Sequence, residues 1–348
     1  MDDQRKKEWL EQRRKHLSRN PDELAKGIIS GDKVALSRGL TLVESTRRDD
    51  HEQALEMLDK IRSNPGKSVR IGITGVPGVG KSTFIEAFGQ ELVENGKKVA
   101  VLAIDPSSER SGGSILGDKT RMNNLALMPE VFIRPTASGG SLGGVAKRTR
   151  ESILLCEAAG YDVIIIETVG VGQSETMVKE MVDFFLLLML AGAGDELQGI
   201  KRGIMEMADA LVITKADGEN EMNARRARNE YKNAMHLFPP NQNSWIPKAM
   251  TCSSYTNTGI SEIWDVIETF VNQMTISGYL EKNRLDQEVF WFRETLKEML
   301  IDNFHQTEGI SQRVSQIEKS LHSGKGNAFA DAKAVMNFYI AQLKDAKN

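Results

Sequence analysis

Seven short apolar runs, none alternating with polar residues, decide which folds are open to this chain. They are VRIGITG, KVAVLAID, VFIRPTA, DVIIIET, FFLLLML, ALVITKAD and IPKAMTCSS. A strand with one face in water alternates apolar and polar residues. An unbroken run is covered on both faces, which is the environment of a parallel sheet between layers of helices. The runs therefore predict a doubly wound α/β domain over residues 67–275, with ligands at the carboxyl ends of the strands. The polar signatures of this region fall at those ends.

Both flanks read as helices. Residues 1–66 form an N-terminal helical extension, in which Asn20-Pro21-Asp22-Glu23 is a helix start with Pro in the first turn and acids favoured by the helix dipole. HEQALEMLDKIRSNPG follows with Leu55, Leu58 and Ile61 at helical spacing, and Asn64-Pro65-Gly66 stops it. Arg13-Arg14-Lys15 reads as a solvated helix face. Residues 276–348 return to helices, with Phe290, Trp291 and Phe292 together and a stripe of Ala328, Ala332, Val335, Met336 and Tyr339 near the end. Such a tail cannot bury its apolar residues alone, so it packs either on the α/β domain or on a second copy of itself, and a homodimer joined through this C-terminal dimerisation arm is the expectation.

Composition closes off several classes. Among 348 residues the net charge is −3, which gives no basic face for nucleic acid. The start, MDDQRKKEWLEQRRKHL, has acids and no apolar core, so neither a secretory signal nor a mitochondrial presequence is expected. The longest apolar run, FFLLLMLAGA, is about half of the roughly 20 residues that span a bilayer. Cys156 and Cys252 are too few and too far apart for a disulfide framework, and Cys156 in ESILLCEAAG reads as a buried thiol. A cytoplasmic protein without membrane partners is expected.

The strongest chemical signal follows the first run. Gly75-Val76-Pro77-Gly78-Val79-Gly80-Lys81-Ser82 fits G-x-x-x-x-G-K-[ST], after a strand and before the helical STFIEAFGQEL, which opens with Ser82 and Thr83. Its glycines let backbone N–H groups turn inward around phosphates, and the helix start favours negative charge. Lys81 is expected to neutralise the β- and γ-phosphates and Ser82 to ligate Mg²⁺.

The base is read from a later strand end. Thr214-Lys215-Ala216-Asp217 fits [NT]-K-x-D, in which the carboxylate accepts from both guanine N1–H and its 2-amino group. Adenine offers no such pair, so Asp217 favours GTP over ATP. Thr214 replaces the commoner Asn but keeps a hydroxyl for the phosphate loop. The following TCSSYTNTGI supplies Ser253 and Ser254 near the guanine carbonyl.

Three further stretches read as loops that respond to the nucleotide. AIDPSSERSGGSILGDKTRM ends a strand with Asp105, a natural Mg²⁺ acid, then continues into a Ser/Gly-rich segment carrying Asp118, Lys119 and Arg121. Arg121 serves either a phosphate or a helix cap. In ETVGVGQSE, Glu167 is long enough to reach Mg²⁺ through a water, and Gly170 lets its N–H approach a γ-phosphate. Val171, where a water-orienting Gln would stand, predicts slow intrinsic hydrolysis, with Gln173 the nearby amide. AGAGDELQGIKRGI places Asp195, Glu196 and Lys201 between two strands, either as a mobile loop or as a helix capped by Asp195.

Together with IRPTASGGSLGGVAKRTRE, these stretches resemble the MeaB/ArgK family of P-loop GTPases within the SIMIBI class. The resemblance extends over essentially the whole chain. It implies a GTPase that gates adenosylcobalamin loading onto, and protection and reactivation of, methylmalonyl-CoA mutase or a related acyl-CoA mutase. It also implies Mg²⁺ ligation by Ser82, Asp105, Asp118 and Glu167, and a third switch over 191–202 in which Lys201 signals to the partner. Two other functions share the same loop: a phosphotransferase acting on arginine or ornithine, and a nickel-insertion GTPase. The former needs an acceptor pocket, and the latter needs His- or Cys-rich tracts that five scattered His do not provide.

Overall fold

The computed structural model describes residues 20–45, 47–62, 66–104, 122–136, 142–168, 174–192, 202–238 and 243–345. Seven strands form one sheet in the order β3-β2-β4-β1-β5-β6-β7, and each neighbouring pair is parallel. They are β1 Val69–Gly75, β2 Val99–Ile104, β3 Val131–Thr136, β4 Val163–Thr168, β5 Phe184–Met189, β6 Ala210–Ile213 and β7 Lys248–Thr251. Each lies within one of the seven apolar runs. β2, β5 and β6 are buried along their whole length, as unbroken runs require, whereas the edge strand β7 is partly exposed.

The connecting helices are α4 Lys81–Glu94, α5 Asn123–Ala126, α6 Leu142–Ala158, α7 Ser174–Lys179, α8 Arg202–Met207 and α9 Glu221–Met235, with α10 Ile260–Ile276 after β7. Phe84 and Phe88 of α4 stack at 5.4 Å, and Phe88 meets Trp264 of α10 at 6.3 Å. Phe184 of β5 meets Phe270 edge-on at 5.1 Å. These rings belong to one large apolar core between the sheet and α4 and α10. Buried aromatic pairs in these arrangements add to what the area alone contributes.

Ionic groups are buried at the opposite, amino-terminal end of the sheet. Arg70 at the start of β1 makes two 2.8 Å bonds to Glu157 of α6, which also accepts from Ser68 Oγ at 2.5 Å. Asp183, just before β5, accepts from Arg70 N at 2.9 Å and from Arg284 Nε at 2.8 Å. Arg284 lies on α11 (Tyr279–Gln306), and its Nη2 also donates to Ser68 O at 2.7 Å. Gln287, one turn on, donates to Val182 O at 2.8 Å.

The N-terminal segment forms α1 Pro21–Ile29, α2 Lys33–Val43 and α3 Arg48–Ile61. Asn20 caps α1 by accepting from Asp22 N at 3.0 Å, as the Asn-Pro-Asp-Glu start predicts. The three helices pack together near α6, with Ile28, Leu36, Leu40 and Met57 fully buried. The buried stripe of α3 is Ala54, Met57 and Ile61, with Leu58 half-buried. Leu55, expected on that face, is exposed, because the helix meets its neighbours through the residues one position away. Arg13-Arg14-Lys15 and the Asn64-Pro65 stop lie outside the described residues.

The chain divides into two compact units between Gln287 and Glu288, inside α11. In the second unit Ile310, Val335 and Tyr339 form a small core with Phe304 and Phe338, drawn from α11, α12 (Ile310–His322) and α13 (Ala328–Asp345). Tyr339 Oη donates to Asn303 Oδ1 at 2.7 Å. The expected stripe on α13 is corrected in part: Val335 and Tyr339 are buried, but Ala328, Ala332 and Met336 are exposed. Among the described residues no helix is long and apolar enough to cross a membrane.

Both cysteines are buried free thiols. Burial, with Glu157 beside it, holds the Cys156 thiol well above its ordinary pKa. Burial and then the Asp217 carboxylate push the Cys252 thiol up to about 12. The thiolate is the reactive form, so iodoacetamide at pH 8 should label neither cysteine in the folded protein and both in denaturant, as counted by intact mass.

Candidate nucleotide site

β1 lies between β4 and β5, and its carboxyl end opens directly into the loop that precedes α4. Gly75 is required there by proximity: a Cβ at that position would stand 2.5 Å from the Leu188 carbonyl oxygen of β5. Gly80 caps α4 in the left-handed region, at φ 92°, and contributes no side-chain cap. The first N–H groups of this 14-residue helix are thus open to an anion. Pro77, Gly78 and Thr83 are exposed, Val76 and Ser82 half-buried, and Val79 is fully buried as the anchor of the loop.

Lys81 folds back over this loop, its Nζ donating to Gly75 O at 2.9 Å and Val76 O at 3.4 Å. Burial lowers its pKa, against the opposing pull of the Glu167 and Glu175 carboxylates. Glu167 stands near the end of β4, in register with Ile73 of β1 and Ala103 of β2. Its Oε1 accepts from Ser82 Oγ at 3.3 Å. Next to it, Thr168 Oγ1 donates to Thr74 Oγ1 at 2.8 Å, tying β4 to β1 just before the loop.

The second half of the site is built from the ends of β6 and β7 and is tied to the first. Thr214 Oγ1 donates to Val79 O at 2.8 Å, so the hydroxyl that stands in place of Asn reaches the phosphate loop. Lys215 Nζ donates to Gly78 O at 2.9 Å. Lys215 itself sits at φ 56°, an uncommon conformation for a residue with a side chain, and Asn220 Nδ2 pins its carbonyl at 2.7 Å. Ser253 Oγ donates to the Asp217 carboxylate. Ser253 in turn is fixed by its own N–H, 2.9 Å from Thr258 O. Ser254 is half-buried in the same turn.

The structure therefore brings together residues 75–83, Glu167, Thr214, Lys215, Asp217, Ser253 and Ser254. Asp105, Asp118, Lys119, Arg121, Gly170, Gln173, Asp195, Glu196 and Lys201 lie outside the described residues. Sequence reasoning missed Asn220 and the Thr74–Thr168 pair. An Asn three residues after the Asp of T-K-x-D was the available signal for the first. For the second there was none, because the pairing depends on strand order. Among the described residues no group of three or more His, Cys, Asp or Glu could hold a metal alone. Ser82 with Glu167 instead offers one hydroxyl and one carboxylate, a donor set that suits a hard cation completed by water and phosphate.

Thr214→Val keeps the shape of the side chain but leaves the Val79 carbonyl without its donor. This should cost about 1–3 kcal/mol of stability, read as a lower urea midpoint, whereas Thr214→Ser should stay close to the parent.

The model of the MeaB family, "Methylmalonyl Co-A mutase-associated GTPase MeaB", matches residues 36–309. A putative GTPase of Caulobacter vibrioides is 49% identical over 90% of this chain and 96% of its own length. The mitochondrial methylmalonic aciduria type A homolog of Mus musculus is 45% identical over 87% of this chain and 75% of its own. The crystal structure of a LAO/AO transport system kinase superposes with a TM-score of 0.72 at 38% identity, covering 92% of this chain and 98% of that one. The fold is that of a P-loop NTPase, and the chain belongs to the MeaB family as a GTPase of MeaB/ArgK type.

Proposed function

We propose that this chain is a GTP-driven regulator of an adenosylcobalamin-dependent methylmalonyl-CoA mutase or close relative, gating cofactor loading, protection and reactivation. The observation that carries the reading is the direct tether between the two halves of the site. Thr214 and Lys215 bond to Val79 and Gly78 at 2.8 and 2.9 Å, so the strand end that bears Asp217 cannot shift without moving the phosphate loop. Such linkage suits a switch whose state is read elsewhere. The mutase enters through the family description and the name of the mouse relative.

In this reading Asp217 accepts from guanine and Ser253 holds its carboxylate in place. Gly75 to Thr83 wrap the phosphates, with Lys81 leaving the Gly75 and Val76 carbonyls to meet them. Arg121 and Gly170 complete the phosphate side. Ser82 and Glu167, with Asp105 and Asp118, would hold Mg²⁺, which when bound neutralises charge on the β- and γ-phosphates. Glu167 fits a role through water, and no Gln follows Gly170 in the sequence, so hydrolysis is slow until a partner acts. The exposed side chains Phe292, Met299, Leu300, Ile301 and Phe329 in the second unit support a homodimer built through residues 276–348. The N-terminal extension is 1–66, the G domain 67–275, and the setting is the cytoplasm.

Lys81→Ala should abolish binding of GTP and GDP in equilibrium titration, and retained micromolar affinity would remove the phosphate-loop assignment. Phosphate release from GTP should rise when an adenosylcobalamin-dependent mutase is added, with coupling of about 1–3 kcal/mol, or 5–150-fold in affinity. Lys201→Ala should reduce the stimulated rate while leaving intrinsic release near the parent. No stimulation together with phosphorylated arginine would replace this reading with the phosphotransferase one.

A further inference from the structure

Glu175, in the first turn of α7, is 1% exposed, and neither of its carboxylate oxygens has a hydrogen-bond partner among the described residues. Burying a carboxylate without donors is strongly unfavourable, and chains keep such groups where something else completes them. The packing of α7 gives its direction. Asp183 accepts from Arg70 N at 2.9 Å, at the start of β1. Further along, a Cβ on Gly72 would meet Val182 Cγ2 at 3.2 Å and Val178 Cγ1 at 2.9 Å. The segment from 183 back to 178 therefore climbs β1 towards its carboxyl end. Glu175 is three residues before Val178 and on the same helix face. It is thereby carried towards the phosphate loop, where Lys81 Nζ lies 2.9 Å from Gly75 O. The electrostatic pull of Glu175 on Lys81 agrees with this placement.

Glu167, the other carboxylate facing Lys81, already accepts from Ser82 and is committed to the metal side. The amide that would orient water after Gly170 is absent from the sequence, where Val171 stands. We propose that Glu175 is a positioning residue for hydrolysis, its buried carboxylate accepting hydrogen bonds from the water that attacks the terminal phosphate. The inference rests on the GTPase reading. In the reaction the water oxygen bonds to the γ-phosphorus as the bond to the β–γ bridging oxygen breaks, and that oxygen keeps the electron pair in GDP. One proton of the water stays on the phosphate and the other passes to solvent. Glu175 aligns the water and is not consumed.

The test uses the full chain with Glu175→Gln, nearly the same shape without the charge, and Glu175→Asp. Phosphate release at saturating GTP, GTP and GDP affinity, and the melting temperature are measured for each. Glu175→Gln should lower turnover at least tenfold, leave nucleotide affinity within about threefold, and melt at the same temperature or higher, because a buried carboxylate without hydrogen-bond donors is replaced by a neutral amide. Glu175→Asp should recover part of the rate. Unchanged turnover in Glu175→Gln overturns the inference, and so does a loss that follows a lower melting temperature or an equal loss of nucleotide affinity. If the wild-type chain releases no phosphate from GTP, the GTPase reading and this inference fall together; wild-type turnover matched by Glu175→Gln removes this inference alone.

Discussion

The parallel register of β1 between β4 and β5 is the constraint on which the rest depends. It sets Ile73 opposite Glu167 and Gly75 opposite Leu188. One short stretch of backbone hydrogen bonds thus fixes where the phosphate loop starts and how near the acid of β4 stands to Ser82. The register continues through β6, where Met189 pairs with Ile213, so that Thr214 emerges level with Val79. A slip of one residue in any of these ladders would turn buried side chains to the wrong face and break the 2.8 Å bond from Thr214 to the loop.

The distribution of charge follows from the same sheet. At the amino-terminal ends, Arg70, Glu157, Asp183 and Arg284 are joined by donors and acceptors at 2.6–2.9 Å. Removing one member would strand another in the interior, which is far more costly than the pair is stabilising. At the carboxyl ends the arrangement is different. Lys81 borrows backbone carbonyls, Glu175 has no donor, and α4 presents uncapped N–H groups. Paired charges hold the amino-terminal end together, whereas at the carboxyl end the buried carboxylate of Glu175 has no donor on either oxygen among the described residues.

Much of this was legible in the residues. The seven unbroken runs became the seven strands because only burial on both faces tolerates them. The phosphate loop needed no tertiary information, since its glycines, lysine and following helix are contiguous. The helical flanks were legible as elements and less so as faces. On α3 the apolar residues Leu55, Met57, Leu58 and Ile61 allow two neighbouring stripes, and packing selected the one through Met57. On α13 the small residues Ala328 and Ala332 fitted the helical period but stayed exposed, because periodicity says which residues share a face and not what covers it.

By itself the sequence determined the strands, the phosphate loop and the base-reading Thr214-Lys215-Asp217, because each depends on residues adjacent along the chain. Only the tertiary structure decided that Thr214 holds Val79, that Ser253 holds Asp217 and that the carboxylate of Glu175 is buried without a hydrogen-bond donor among the described residues. These pairings join residues 36 to 135 positions apart and follow from strand order. ETVGVGQSE could thus be recognised as a loop at a strand end, while its last residue took on meaning only when α7 was laid along β1.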